Sequence, residues 1–418
     1  MRNSIAPVME ISKQQARRFM LYHQGLLLHH QWQGKAGILE FFQRAGCIQF
    51  DPVNVIARNP DLVLQARVRD YQPRWLEELL YQDRALVDGF DKLASIYPVA
   101  DWPFFTHRRQ AVEKYHQSVA DLETDFMENL IQSIRSRGPL SSLDIEKTER
   151  VVGYWGNEMH IERFALERLL ALGLVIIHHR AGSRRYYDLA ERVLPTSVYE
   201  THEPFENLES YQDWHFLRRI GGMGIANPAT TECWLGITGM TAPLRWDSLR
   251  RLSDQGIILP VEIDGLPRRT FFIRRADWER YSAAPELEPG GAPCIFLGPL
   301  DNLLWDRNTI RMVFDFDYKW EVYTPVAIRK YGPYTLPILR GDAFAGRVDL
   351  KLDRKNKALM LNRIWWEPAT TLDEGFQAAF ASGLDAFRRF SGADHITLAQ
   401  DAGNGSIDFL RSTLAKQL

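Results

Sequence analysis

Leu172-Gly-Leu-Val-Ile-Ile177 and Gln255-Gly-Ile-Ile-Leu-Pro260 occupy corresponding places in two similar segments, which repeat at roughly 80 residues. Each follows a predicted helix, has a glycine at the helix end and continues as an apolar strand. A glycine turn and a return strand come next, and paired arginines mark both turns: Arg184-Arg185 and Arg268-Arg269. Three helices followed by a hairpin is the order of a winged helix, so the repeat predicts two such modules.

The positions of these two copies suggest how the rest of the chain is divided into domains. Residues 121–200 and 201–284 hold the copies, and segment 1–120, with two predicted helices and a strand, is compatible with a third, degraded copy. In segment 294–418, short apolar runs separated by turns predict an antiparallel sheet, with strands at 312–318, 321–328, 336–339, 345–352 and 357–366 and a helix at 372–390. The predicted class is α+β: tandem winged-helix domains followed by a C-terminal antiparallel β-barrel or sheet with a covering helix.

The bulk composition narrows the classes of function. The 418 residues carry a net charge of −2, so binding to nucleic acid would depend on local clusters of arginine and lysine. Cys47, Cys233 and Cys294 have neither zinc nor disulfide spacing, which favours buried free thiols in a reducing compartment. There is no signal-peptide core and no apolar run of membrane-spanning length, so we expect a cytoplasmic protein. The sequence has no phosphate loop and no metal-ligand pattern, and we expect no cofactor.

The strongest candidate for chemistry lies in the segment Cys47–Arg58. If this apolar run is a strand, Gln49 and Asp51 point to the same face and Phe50 points into the core. An amide can hold a water molecule while a carboxylate takes its proton, so the pair could support hydrolysis. The alternative is structural: Asp51 would cap the turn that follows Pro52, and on spacing alone this interpretation is favoured.

Several basic and aromatic residues are candidates for contact with DNA. The arginines near the two hairpin turns suit phosphate contact, or else they are ordinary solvated charges; they are Arg180, Arg184, Arg185, Arg268 and Arg269. Tyr154 and Trp155 precede a predicted recognition helix and could stack on bases, or they could belong to the core beside the helix start.

These features together resemble the winged-helix DNA glycosylases of the AlkZ and YcaQ type. The signature of that family is Gln, a hydrophobic residue, then Gln or Asp, and here it reads Gln49-Phe50-Asp51, the Asp-bearing form of the YcaQ branch. Other stretches are also similar to the family: Arg137–Ser142, Gly153–Gly156, Leu300–Arg307, Tyr331-Gly332, Leu336-Pro337 and Gly346–Asp349. The resemblance extends over nearly the whole chain.

The resemblance implies removal of alkylated purines, including N7-alkylguanine, and unhooking of interstrand crosslinks. It makes Gln49 and Asp51 catalytic, and we add Asn54 and Arg58, which follow them, as candidate DNA contacts. The expected partner is double-stranded DNA with alkylated or crosslinked purines, bound by a monomer. Because N7 alkylation makes the base cationic, its glycosidic bond is already weak, and the enzyme has only to stabilise the sugar cation and deliver water. No lysine stands beside the pair, so no Schiff-base lyase step is expected.

Two other classes of function remain open from the residues alone. A non-catalytic winged-helix regulator would bind an operator, usually as a dimer, but no dimer helix is evident in the sequence. A hydrolase of small molecules would rest on Asp301, Asp306 and Arg307 in the C-terminal segment.

Overall fold

The computed structural model describes residues 5, 7, 9–28, 30–117, 124–146, 150–152, 158–266, 269–285, 293–399 and 409. The chain forms two compact units. The first comprises Met1–Pro73, Phe216–Leu235 and Ala242–Leu418, and the second comprises Arg74–His215 and Gly236–Thr241. Both contain helices and strands, which confirms the α+β class. Among the helices of the described residues, none is both long and apolar enough to cross a membrane.

The helices largely follow the predicted periodicity. In chain order they are α1 Lys13–His23, α2 Gly34–Ala45, α3 Asn59–Gln65, α4 Pro73–Tyr81, α5 Thr106–Gln117, α6 Thr124–Arg137, α7 Ile161–Leu172, α8 Ala190–Val193, α9 Thr196–Tyr199, α10 Leu208–Met223, α11 Ala242–Asp254, α12 Arg275–Ser282, α13 Arg307–Phe314 and α14 Glu374–Ser391. Ser12 caps α1 through a reciprocal capping box with Gln15, as its position before the apolar stripe predicts.

The strands are mostly short. In chain order they are β1 Met9–Ile11, β2 Trp32–Gln33, β3 Ile48–Gln49, β4 Val68–Arg69, β5 Leu86–Asp91, β6 Leu93–Pro98, β7 Arg150–Val152, β8 Glu158–His160, β9 Val175–Ala181, β10 Arg184–Leu189, β11 Ile225–Ala226, β12 Ile258–Ile263, β13 Phe271–Arg274, β14 Ile295–Phe296, β15 Thr335–Arg340, β16 Ala343–Asp353, β17 Ala358–Trp366 and β18 His395–Leu398. Both predicted hairpins, β9–β10 and β12–β13, are present.

In the first unit the hairpin β12–β13 is the centre of a larger sheet. The strand order is β1-β12-β13-β11, and β1 runs parallel to β12 with Met9 opposite Val261. One face of this sheet packs with α1 and α13 into a core that includes Phe19, Phe271 and Ile310. In the second copy of the repeat the sequence predicts a short second helix at 228–235, but the structure has only a single 3₁₀ turn at Glu232–Trp234.

The C-terminal sheet has the order β14-β15-β16-β17-β18, and α14 covers it, as predicted. The apolar side of α14 contributes Phe376, Phe380 and Phe387 to the core beneath. Three predictions for this segment are wrong. β18 pairs with β17 in parallel rather than antiparallel, residues 307–314 form a helix where a strand was expected at 312–318, and the run 321–328 is a loop with one 3₁₀ turn.

The second unit packs α6 and α7 against the hairpin β9–β10. Gly173 ends α7 in the left-handed region with φ +76°, which is why a glycine stands there. The sequence Gly138-Pro-Leu-Ser-Ser142 predicts the start of a short second helix, but none forms there; Leu140 instead makes an isolated bridge to Tyr187 of the hairpin. The hairpin β5–β6 was not predicted.

Candidate active site

The strand that carries the motif is shorter than the sequence suggests. It comprises only Ile48 and Gln49, so Asp51 lies beyond its end. Gln49 and Phe50 are both buried, and Asp51 is half-buried. The strand rule that places alternate residues on one face therefore does not fix the relation between Gln49 and Asp51, and this step of the sequence argument was wrong.

Asp51 sits in the turn that the structural alternative predicts. Its Oδ1 accepts a hydrogen bond of 2.8 Å from the backbone N–H of Val53, which closes an Asx turn across Pro52. The capping role and a chemical role are compatible, because a carboxylate has two oxygens and about four acceptor sites. The turn fixes the direction of the carboxylate.

Asp51 lines a narrow cavity in the first unit. Its other walls come from Val53, Asn59, Pro299, Leu300, Trp320 and Tyr334. Gln49 is not among these lining residues, but Asn59 links it to the cavity: Asn59 Nδ2 donates to the carbonyl oxygen of Gln49 at 2.7 Å. Asn59 Oδ1 accepts from the backbone N–H of Leu300 at 3.3 Å. The buried side-chain amide of Asn59 therefore connects Gln49 of the motif to Leu300 in the cavity wall.

Burial dominates the electrostatics of the cavity. It raises the pKa of Asp51 above the usual range of an aspartate, and the Val53 N–H only partly offsets this effect. Within the described residues no arginine or lysine pairs with Asp51. Tyr334 also has a raised pKa, first because it is buried and second because the charge of Asp51 is close by. A carboxylate with a raised pKa in a cavity is typical of a functional group rather than of a structural ion pair.

The wall at 299–302 is held by a buried ion pair. Arg67 donates to both carboxylate oxygens of Asp301, each at 2.8 Å, and both side chains are fully buried. Arg67 also donates to the carbonyl oxygen of Gln24 at 2.8 Å. Next to this pair, Asn302 Nδ2 donates to the carbonyl oxygen of Cys47 at 2.9 Å, so the wall is also tied to the start of the motif.

Asp306 and Arg307 are neighbours in the sequence and could have formed a local ion pair, but each has a different partner in the structure. Asp306 caps α13 by accepting from the backbone N–H and the hydroxyl of Thr309, at 3.0 and 2.7 Å. Arg307 lies 3.5 Å from Glu232. With Asp301 bound to Arg67, all three residues behind the small-molecule hydrolase alternative have structural contacts.

Asn54 and Arg58, the candidate DNA contacts beside the motif, both have partners within the first unit. Asn54 is exposed, and its side-chain oxygen accepts from Arg354 at 2.6 Å. Arg58 pairs with Asp61 at 2.6 Å, near the start of α3. Asn54 and Arg354 bring the tip of the hairpin β16–β17 to the loop after the motif, a contact that sequence spacing could not predict.

The arginines of the hairpin β9–β10 differ in their availability. The Arg180 side chain is only 6% exposed and pairs with buried Asp88 at 2.6 Å, so in this structure it has little surface to offer DNA. Arg184 donates to Ser141 and to Asp144, at 2.6 and 2.5 Å, and Arg185 lies 3.7 Å from Glu167. Both remain partly exposed.

The remaining candidates divide between described and undescribed parts of the chain. Arg269 is exposed beside the hairpin β12–β13. Tyr154, Trp155 and Arg268 lie outside the described residues.

Asn59, Trp320 and Tyr334 were not found by sequence reasoning, since each lies far along the chain from Asp51 or looks like an ordinary core or capping residue.

Comparison with known proteins assigns this chain to a family of DNA glycosylases, a class of DNA repair enzymes. A family model described as "DNA glycosylase AlkZ-like" matches residues 42–390, and the chain belongs to this AlkZ-like family. Among solved structures, the chain is similar to Streptomyces sahachiroi DNA glycosylase AlkZ, with a TM-score of 0.58 and 13% sequence identity. The match covers 94% of this chain and 100% of that chain, and at this identity it shows a common fold.

Proposed function

We propose that this protein is a monofunctional DNA glycosylase that hydrolyses the N-glycosidic bond of cationic alkylpurines and unhooks interstrand crosslinks. The substrate class is N7-alkylguanine and N3-alkyladenine in double-stranded DNA. The observation that carries the proposal is Asp51, a half-buried carboxylate with a raised pKa in a cavity, within the signature Gln49-Phe50-Asp51.

In the proposed reaction, water attacks the anomeric carbon of the damaged nucleotide. The new bond is C–O, and the C–N bond breaks with its electron pair going to the base, which leaves as a neutral purine. Asp51 stabilises the cationic sugar while charge develops and accepts the proton of the attacking water. Gln49, linked to the cavity through Asn59, orients that water.

Several features of the site suit a cationic substrate. The positive charge on the alkylated base already makes it a good leaving group, so no acid is needed to protonate it. An anionic Asp51 that no described cation pairs with is free to act on the sugar. Trp320 and Tyr334 lie beside Asp51 in the cavity wall, and aromatic rings attract cations such as an alkylated base.

The direct test is base release from duplex DNA that contains N7-methylguanine or a nitrogen-mustard crosslink. We expect free base and an abasic site above the spontaneous rate, and a crosslinked duplex should separate into single strands. Borohydride should trap no covalent adduct, because no lysine lines the cavity in the described part of the chain. If the protein bound a particular DNA sequence and released no base, it would be a regulator instead.

We propose that segments 121–200 and 201–284 act as winged-helix DNA-binding modules, that 1–120 is a third such domain with the catalytic motif, and that 294–418 is a C-terminal barrel domain. The similar ends of α7 and α11, each followed by a glycine with positive φ and a hairpin, support the first two. Among their arginines, exposed Arg269 is the best candidate for a phosphate contact, and Arg269→Ala should reduce the dependence of binding on salt.

We further propose that the protein acts as a monomer in the cytoplasm. Its mass in solution, measured by light scattering with and without a damaged duplex, tests the first point.

A further inference from the structure

One loop beside the candidate active site exposes an unusual amount of apolar surface. Tyr323, Val326 and Ile328 are 81%, 77% and 70% exposed, and they are the three most exposed large hydrophobic side chains among the described residues. They lie within six consecutive positions, and Pro325 and Ala327 between them are also exposed. Single exposed hydrophobic residues are common, but a contiguous group marks an interaction surface. We refer to residues 321–332 as the apolar loop.

The apolar loop is held in one conformation by its own hydrogen bonds. The Glu321 carboxylate accepts from the backbone N–H groups of Lys330, Tyr331 and Gly332, with distances of 2.8–3.1 Å. Burial works against ionisation of Glu321, but these donors outweigh it and keep its pKa below the usual range. Arg329 also donates to the carbonyl oxygen of Thr324 at 2.7 Å. The exposed side chains are therefore presented on a preorganised support, which lowers the entropy cost of binding.

The loop starts and ends at the wall of the cavity that contains Asp51. Trp320 precedes it and Tyr334 follows it, and both side chains line that cavity. The ring of Tyr323 contacts the ring of Trp320 edge-on, with 5.7 Å between centroids. The exposed group is thus one aromatic ring away from the proposed reaction site.

The charge of the segment favours a polyanion. Residues 319–332 contain Lys319, Arg329 and Lys330 against the single acid Glu321, a net charge of +2. Lys319 and Lys330 are exposed on either side of the apolar residues. Apolar side chains flanked by cations are the arrangement with which proteins wedge between base pairs while binding the adjacent phosphates.

We propose that the apolar loop is a rigid wedge that enters duplex DNA next to the damaged nucleotide. Val326 and Ile328 part the stacked base pairs, Tyr323 stacks on the exposed face, and Lys319 and Lys330 contact the phosphates. This proposal rests on the proposed function, because the wedge is placed next to a damaged nucleotide. Insertion of the loop into DNA can be measured without base release.

The test compares a Val326→Ser/Ile328→Ser double variant with Val326→Leu/Ile328→Leu, which keeps the apolar surface. Because both positions are exposed, neither change should affect folding, and Leu372→Ser, an exposed leucine outside the loop, is the control. Insertion is followed by the fluorescence of 2-aminopurine placed next to an uncleavable abasic analogue in a duplex. Base release is measured under single-turnover conditions with N7-methylguanine DNA.

The wild-type protein, the leucine variant and the control should all raise 2-aminopurine fluorescence, and the serine variant should not. The serine variant should also release base about 10-fold more slowly, on the scale of losing one buried apolar side chain from the contact with DNA. A serine variant that raised the fluorescence as much as the wild type and released base at the wild-type rate would overturn the wedge, and that is also the result expected if the loop bound a protein partner. Failure of the proposed function would be distinct, because the wild-type protein would then release no base whatever the loop does.

Discussion

Asp51 and Asp301 belong to the same compact unit, and Asp301 directly follows the lining residue Leu300, but the surroundings of the two carboxylates are opposite. Asp301 is fully buried and takes two hydrogen bonds from the guanidinium of Arg67. Asp51 is half-buried, accepts one backbone N–H, and has a pKa that burial raises. Since a charge held away from water without a counter-ion is costly, the ionised form of Asp51 is disfavoured in the folded protein. The comparison separates a carboxylate that supports the fold from one available for chemistry.

The largest expected effect concerns the buried ion pair between Arg67 and Asp301. Asp301→Asn leaves the Arg67 guanidinium buried without its counter-ion, which should lower the free energy of unfolding by about 3–5 kcal/mol. Asp315→Asn is the matched control, because Asp315 also pairs with arginine and lysine but is exposed, and its loss should cost less than about 1 kcal/mol. Urea unfolding measures both. Equal losses would mean that burial does not distinguish the two ion pairs.

The second effect concerns Asn59, which connects Gln49 of the motif to Leu300 in the cavity wall. Asn59→Ala removes the donor to Gln49 and the acceptor for Leu300, so we expect a loss of about 1–3 kcal/mol in unfolding free energy. Base release should also slow, because Gln49 is no longer fixed relative to the cavity. Gln65→Ala is a control on the same helix, since Gln65 also bonds backbone carbonyl oxygens but does not line the cavity. If the rate were kept while stability fell, Asn59 would have no part in positioning Gln49.

The smallest effect is the dependence of stability on pH. The pKa of Asp51 is higher in the folded protein than in the unfolded chain, so its contribution to stability is fully present below the unfolded pKa and is lost as pH rises through the folded pKa. At neutral pH, Asp51→Asn should therefore unfold at the same temperature as the wild type or slightly higher, and the difference should disappear in acid. Thermal unfolding at several pH values measures it. A variant that is less stable at neutral pH would indicate that the charged form of Asp51 stabilises the fold.

The local part of the fold was predictable from sequence, because caps and glycines act over a few residues. Ser12 before α1 and Gly173 after α7 mark helix ends by hydrogen bonding and by positive φ, and both appear as expected. Residues 312–318 were misassigned because their aromatic and branched residues suggest a strand, whereas 312–314 belong to helix α13. Asp306 at the helix start was the contrary signal, since it caps α13.

The site was predictable only where the motif is contiguous. Asp51 could be named from its signature, whereas Asn59, Trp320 and Tyr334 reach the cavity through the tertiary fold. Arg180 shows that local sequence can also mislead. An arginine near a hairpin turn looked like a surface charge, but buried Asp88 pairs with it. The geometry between Gln49 and Asp51 was also not available from sequence, because the strand ends at Gln49.

The central claim is that Asp51 acts on the substrate rather than on the fold, and one pair of measurements on Asp51→Asn tests it. Asparagine keeps an oxygen that can accept from Val53, so the turn should remain while the base is lost. We predict that single-turnover release of N7-methylguanine falls by about 100-fold or more, with unchanged DNA affinity and undiminished thermal stability. A variant that releases base at the wild-type rate, or one whose rate, DNA affinity and stability fall together, would contradict the account.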